Sequence, residues 1–390
     1  MKRSRTALAL LLSLLLFGSL AAPAAGTGAP DTIAAPHAAG TVLLEFNEGT
    51  PASDRAAVMA AFSLTETGRV WGTDVVVAQG KGRSTSALVE ALNKNPHVAY
   101  AEPDYTATAL WTPNDPGFAQ QWNLKKISAE PAWDVTRGSS AVMIAIVDTG
   151  IDLDHPDLAA KIRTDLDYDF VNSDSTAQDD NGHGTHLAGI AAAITNNGIG
   201  VAGLCPNCSL LPVKVLSASG SGTYSAVASG IRYAADKGAK VINLSLGGGS
   251  GSTTLLDAVQ YAYAKGVTLT CAAGGSNSST PSYPAYYSEC VAVAASDLSD
   301  NKASFSTYGT WVDTTAPGVN IYSTYYDNTY ATLSGTSMAA AHVAGLAGLL
   351  YSQGRTQADV RTRLTASTYT DPVNSTLIPR RINAYKAVAL

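Results

Sequence analysis

From Ala132 onward the chain alternates two textures that leave little choice of architecture. Near-continuous apolar runs (SAVMIAIV, SLLPVKVL, KVINLSL, VTLTCAA, CVAVAAS) are separated by amphipathic segments such as HLAGIAAAI, TYSAVASGIRYAADKG and TTLLDAVQYAYAKG. A strand that is apolar on both faces must be covered on both, and the intervening helices do the covering. An α/β, three-layer αβα domain around a mostly parallel sheet is therefore expected over residues 111–390. In such sheets ligand chemistry gathers beyond the C-terminal strand ends. With 390 residues, 46% of them apolar and 14% charged, the chain can bury a core of that size and is poorly suited to disorder.

A different order precedes it. TVLLEFNE, ASDRAAVMAAFS, RVWGTDVVVAQG, TSALVEALNKN and HVAYAEPD spell β-α-β-β-α-β over residues 41–104, a small ferredoxin-like α+β unit, with 105–110 as a linker. At the start, the basic MKRSR and the Leu-rich run from Thr6 to Leu20 lead into Ala21, Ala22, Ala24 and Ala25. That pattern predicts a secretory signal over residues 1–25, cleaved near Ala22 to Ala25, and a flexible segment over 26–40. The apolar run is shorter than the ~20 residues of a spanning helix, so an extracellular protein without membrane attachment is expected. A net charge of −6 with no basic cluster beyond the N-terminus excludes an electrostatic footprint for nucleic acid.

Four cysteines in an exported chain suit oxidising conditions. Cys205 and Cys208, in LCPNCS, read as a small structural disulfide, with a redox pair or half a zinc site as alternatives. A second bridge between Cys271 and Cys290 is expected, although three pairings are formally open.

Three islands carry chemistry. IAIVDTGID places Asp148 at the end of an apolar strand, where a carboxylate needs partners or a task. NGHGTHLAG sets His183 between two glycines at the start of a helix; His183 and His186 as metal ligands is the alternative, without HExxH or a third ligand. LSGTSMAAAHVAGLAGLLY puts Ser337 at a helix N-terminus, where free N–H groups favour developing negative charge; a plain N-cap is the simpler reading. His342 within that helix reads as a packed core residue. In the order Asp, His, Ser, the three supply the orienter, base and nucleophile that convergent hydrolases use.

On IVDTGID, NGHGTHLAG and GTSMAAAHVAG, with YPAYYS, FSTYG and INAYKAV in support, residues 111–390 resemble the subtilisin-like serine proteases (subtilases, peptidase family S8), most closely the thermitase-like branch. The resemblance implies a secreted, broadly specific serine endopeptidase, expected as a monomer, acting on proteins and peptides. In it Ser337 would be the nucleophile, His183 the general base and Asp148 its orienting partner. Ser245, Leu246, Gly247 and Gly248 would form one wall of the substrate cleft, and Ala272, Ala273 and Gly274 the other. The N-terminal unit would be an inhibitor-I9-type propeptide, an intramolecular inhibitor. Calcium is the implied cofactor. Asp115, Asp157 and Asn197, with the carbonyls of Ile194, Ile199 and Val201, match one site. Asp169, Asn172, Asp174, Thr176 and Gln178 suggest a second, with Asn172 where a carboxylate is usual.

Two positions depart from the family pattern. Ala341 stands where Pro is usual. Gly275 stands where the family has an Asn that donates to the oxyanion, which leaves the Ser337 N–H and, as a candidate substitute, Asn277. The alternative to a slowed protease is a protease fold that binds peptides and hardly cuts them.

Overall fold

The computed structural model describes residues 31–33, 37–107 and 111–390, so the signal and most of the 26–40 segment lie outside the described residues. Among the described residues no helix is long and apolar enough to cross a membrane. The chain divides into two compact units at residues 107/108.

In the N-terminal unit the elements are β1 (His37–Phe46), α1 (Ala52–Ala61), β2 (Leu64–Arg69), β3 (Val76–Gly80), α2 (Thr85–Leu92) and β4 (Val98–Tyr105). The expected β-α-β-β-α-β series is present, with β1 starting four residues before Thr41 and β2 before Arg69. The antiparallel sheet runs β2-β3-β1-β4. Val42, Leu44, Val76, Ala78, Leu88 and Leu92 close its core, every second strand residue pointing to the helices.

The larger unit begins with α3 (Trp122–Lys126) and α4 (Ala129–Val135). Then come β5 (Met143–Asp148), β6 (Tyr168–Asp169), α5 (His183–Ala192), β7 (Ser209–Lys214), α6 (Tyr224–Asp236) and β8 (Val241–Leu244). They are followed by α7 (Thr253–Ala264), β9 (Thr268–Ala272), β10 (Cys290–Ser296), β11 (Thr314–Pro317), β12 (Ile321–Tyr325) and β13 (Thr329–Leu333). The C-terminal part contains α8 (Thr336–Ser352), α9 (Gln357–Thr365), β14 (Thr370–Asp371), β15 (Arg381–Ile382) and α10 (Ala384–Ala389).

Nine strands form one sheet in the order β14-β15-β11-β10-β9-β8-β5-β7-β6, parallel throughout except at the β14–β15 edge. Its two faces explain the unbroken apolar runs. Ile144 and Ile146 of β5 pack with α5 and α8, while Ala145 and Val147 pack with α6 and α7. Helix α8 is buried along its length from Met338 to Leu350, which is why it reads as apolar all round. The chain leaves β5 for β7 on one side and returns as β8 on the other. The switch in strand order therefore falls at β5, whose last residue is Asp148.

The cysteines divide. Cys205 and Cys208 are joined. Cys271 and Cys290, for which a second bridge is expected, are instead free and buried. Cys271 lies opposite Ala292, and Cys290 opposite Leu269, so the pair is offset diagonally by two residues. Burial first, and a hydrogen bond with the Cys290 thiol besides, push the Cys271 thiol pKa up, so the two cysteines lie side by side as thiols.

Candidate active site

Asp148 is fully buried. Its Oδ1 accepts the Thr149 N–H at 2.8 Å and pairs with His183 Nδ1 at 2.7 Å. Its main-chain oxygen accepts the N–H groups of Val215 and Leu216, which locks the strand end. Asp148 Oδ2 has no hydrogen-bond partner among the described residues, an expensive arrangement for a buried carboxylate.

His183 begins α5 behind Gly182, whose φ of 98° and close cover by the Tyr325 ring admit no side chain. The helix start is fixed by Asp179. Its carboxylate takes hydrogen bonds from the N–H groups of Asn181, Gly182 and Thr185 and the hydroxyls of Thr149 and Thr185. Burial works against the imidazolium, but the charge and hydrogen bond of Asp148, with Asp179 behind, outweigh it and hold the His183 pKa above the ordinary 6.5.

Ser337 is the second residue of α8, where N–H groups lack intrahelical partners. Its hydroxyl donates to the Ser245 carbonyl at 3.2 Å, and the Ser245 hydroxyl donates back to the Ser337 carbonyl at 2.9 Å. His183 and Ser337 face two adjoining cavities, of about 420 and 870 Å³, that share Ser245, Leu246 and Gly247 as a common wall. Asp148 and His183 are thus bonded to each other, while His183 and Ser337 line separate cavities that share one wall. His186 turns elsewhere, its Nε2 donating to the carbonyls of Ile321 and Ala331. His342 is buried against Asn123 and the Met338 carbonyl, as a core residue.

Ser245, Leu246, Gly247 and Gly248 line the larger cavity, faced by Ala272 and Gly274. Ala273 does not line it, contrary to expectation: on the β9 exit its side chain alternates to the other side and packs with Ala294, Val312 and Ile378. Sequence reasoning assigned no role to Thr280, Ser282, Phe305, Thr307 or Thr336, which also line the cavity. FSTYG and GTSMAAAHVAG contained three of them.

Gly275 is exposed in the same wall, and a Cβ built on it meets nothing within 4 Å. Asn277 is not part of the cavity. It sits at φ 50°, its N–H held by the Phe305 carbonyl and its Oδ1 by the Lys302 ammonium at 2.7 Å. That geometry corrects the expectation of Asn277 as a substitute donor. Thr336 is better placed, because its hydroxyl accepts the Gly274 N–H at 3.1 Å and has its own proton to give.

Of the two expected calcium sites, one gathers. Asp115 and Asp157 are both buried, bridged through Asn197: Asp115 accepts the Asn196 and Asn197 N–H groups, and Asp157 accepts the Asn197 amide and the Val201 N–H. Burial first, and the Asp115 charge besides, push the Asp157 pKa up. Two buried carboxylates bridged by one asparagine suit a hard, oxygen-seeking cation, with the 194–201 loop around them. The second set does not assemble. Asp169 turns its oxygens to the N–H groups of Val171 and Asn172 and to the Asn172 amide. Gln178 faces away, bonded to Asp152 and Leu153. Thr176 is exposed, donating its N–H to Asp174. Asp169 is taken up within its own loop while Gln178 bonds elsewhere, so the five residues do not converge and do not fit the group. Among the described residues no cluster of three or more His, Cys, Asp or Glu is present.

Comparison with known proteins agrees with this fold. The family described as Peptidase_S8, the subtilase family, matches residues 139–380, and the fervidolysin N-terminal prodomain matches 23–104, in place of the I9-type label expected. Thermitase of Thermoactinomyces vulgaris is 56% identical over 282 residues, covering 71% of this chain and 99% of thermitase. A thermophilic serine proteinase of Bacillus sp. strain AK1 is 47% identical over 356 residues, covering 90% and 87% of the two chains. Among solved structures, a protease from Pseudoalteromonas arctica superposes with a TM-score of 0.66 at 33% identity, covering 72% of this chain and 99% of that one. The chain belongs to the subtilase family of subtilisin-like serine endopeptidases, with a fervidolysin-type prodomain ahead of the catalytic unit.

Proposed function

We propose that this protein hydrolyses peptide bonds through an acyl-enzyme formed on Ser337. The observation that carries the reading is the 2.7 Å bond between buried Asp148 and His183 in a cleft whose shared wall leads to Ser337. His183 takes the Ser337 hydroxyl proton as Oγ attacks the carbonyl, then returns it to the leaving amine; water repeats the sequence to release the acid. Asp148 holds the imidazole through Nδ1 and stabilises the imidazolium. Ser337 must first give up its hydrogen bond to the Ser245 carbonyl, a rotation about one side-chain bond.

The substrate lies as an added strand along Ser245–Gly248, its P1 side chain in the larger cavity against Ala272 and Gly274. A cavity of about 870 Å³ lined by Gly, Ala, Leu and Phe together with many Ser and Thr, and by no charged residue, suits uncharged P1 residues, apolar and aromatic ones included, with little selectivity. The oxyanion is met by the Ser337 N–H and the Thr336 hydroxyl. Without a side chain at Gly275 one donor is missing, a loss of about 10²–10³ in kcat when measured in subtilisin, which slows a protease without abolishing it. The prodomain acts as the chain's own inhibitor until cut within residues 105–110, and the enzyme works outside the cell as a monomer. Calcium would be held by Asp115, Asp157, Asn197 and the carbonyls of Ile194, Ile199 and Val201, where it would supply charge neutralisation that fixes the loop.

A peptide-binding protein of low activity is the second reading, favoured by the Ser337 hydroxyl donating to Ser245 rather than to His183. Expression of the whole chain separates the two. Wild type is expected to remove its own N-terminal unit and to cleave casein, while Ser337→Ala retains the unit and loses about 10⁶ in kcat. Uncleaved wild-type chain with no turnover would leave the binding reading.

A further inference from the structure

Lys214, at the end of β7, is the one lysine whose side chain is almost fully buried, 1% exposed, among the described ion pairs. Opposite it in the parallel register stands Asp148. Its three N–H donors are all used: to the Thr149 carbonyl at 2.8 Å, the Leu216 carbonyl at 2.8 Å and Asp180 Oδ1 at 2.6 Å. Each acceptor belongs to a different part of the site. Thr149 follows Asp148, Asp180 lies three residues before His183, and Leu216 lines the 420 Å³ cavity facing His183. A second tie crosses the same gap at the rim, from the Asn181 amide to the Ala218 carbonyl at 2.9 Å. The His183 loop and the segment after β7 are therefore joined at two places, by an ammonium and by an amide.

Fold stability alone is a weak account of Lys214. A buried ammonium is costly to desolvate, and an apolar side chain of similar length usually serves a core as well. What methionine could not do is hold three carbonyl and carboxylate oxygens at fixed separations.

We propose that Lys214 is a positioning residue that sets the width of the cavity between the His183 loop and the Leu216–Tyr224 segment, and thereby the enzyme's discrimination among residues preceding the P1 side chain. The proposal rests on the hydrolase reading above. Substrates that fill only the larger cavity do not use this spacing, whereas longer peptides do.

The test compares a tetrapeptide anilide bearing apolar residues before P1 with a single-residue N-acyl aromatic ester. In Lys214→Met, kcat/KM for the tetrapeptide is expected to fall about tenfold or more, carried by KM, while the ester stays within about threefold of wild type. A common factor for both substrates, or no change in either, overturns the proposal. Should Lys214→Met fail to fold, Asp180→Ala removes one anchor at a half-exposed position and is expected to show the same split at about threefold; equal effects on the two substrates would overturn it there too. Wild type that cleaves neither substrate sinks the hydrolase reading itself, and wild type that cleaves both while the variants show one common factor sinks the clamp alone.

Discussion

On one side of the cleft Asp148, Thr149, Asp179 and Thr185 form a buried network in which the end of β5 and the start of α5 are tied by several hydrogen bonds. On the other, residues 275–280 are mostly exposed Gly, Ser, Asn and Thr, joined largely hydroxyl to hydroxyl, as between Ser276 and Ser278 or Thr307. The difference separates two kinds of catalytic contribution. Groups that move protons need a fixed tautomer and distance, which only a dry, over-determined network supplies. A donor aimed at the oxyanion can hang from a solvent-facing loop, so losing it leaves the opposite wall undisturbed. On the function proposed above, Gly275 is such a loss.

Breaking the ordered side should have the largest effect. Asp148→Asn is expected to lower kcat by about 10⁴, since the amide fixes the wrong imidazole tautomer. It should also move the acid limb of the pH–rate profile. In wild type the Asp148 charge holds the His183 pKa above 6.5, and activity falls as pH drops through that raised value because the base becomes protonated. Removing the charge shifts the limb to lower pH. The stability linkage has the matching sign: the His183–Asp148 interaction contributes fully below the unfolded-state pKa and is lost as pH rises through the folded one. A limb unmoved in Asp148→Asn would mean that another group titrates.

Repairing the open side comes next. Gly275→Asn meets no atom within 4 Å of the new Cβ and has an ordinary φ, so it should fold as wild type does. If the amide reaches the oxyanion, kcat rises by up to about 10²–10³ with KM little changed. No gain would show that Thr336 already fills the role.

Smaller still is the effect expected of calcium at Asp115 and Asp157. Chelation is expected to lower Tm by about 5–10 °C through loss of binding free energy to the folded state, and Asp157→Asn to remove most of that sensitivity. A melting curve indifferent to chelator would take the cation out of the account.

How far these regions were legible follows from what fixes them. Alternation of apolar strands and helices is a property of local sequence, so the parallel sheet, the β-α-β-β-α-β unit and the positions of Asp148, His183 and Ser337 at element ends could be read directly. The β12–β13 hairpin covering Gly182 could not, because IYSTYYDNTYATL is neither continuously apolar nor marked by a glycine turn, and its packing depends on residues more than 130 positions away. Side-chain direction was equally hidden. Ala273 follows Ala272 in sequence yet faces the opposite side, and Gln178 belongs by spacing to the Asp169 loop yet bonds Asp152. The diagonal offset of Cys271 and Cys290 needed the strand register.

The smallest effect is expected from Asn277, and it bears most directly on the contrast between the two walls. By sequence it is the nearest amide to the vacant donor position, two residues beyond Gly275. Its backbone, however, is in the left-handed region at φ 50°, anchored by the Phe305 carbonyl, and its Oδ1 is held by Lys302, which also grips the carbonyls of Ala303 and Ser306. To serve the oxyanion the amide would have to leave a charge-assisted hydrogen bond and cross the loop, while Lys302 lost one of its three acceptors. Asn277→Ala should therefore change kcat by no more than about twofold and Tm by a degree or two, as the side chain contributes one exposed contact. A drop in kcat near 10² would instead mean that the loop rearranges when substrate binds, and that the open wall repairs itself with the amide that the sequence places closest.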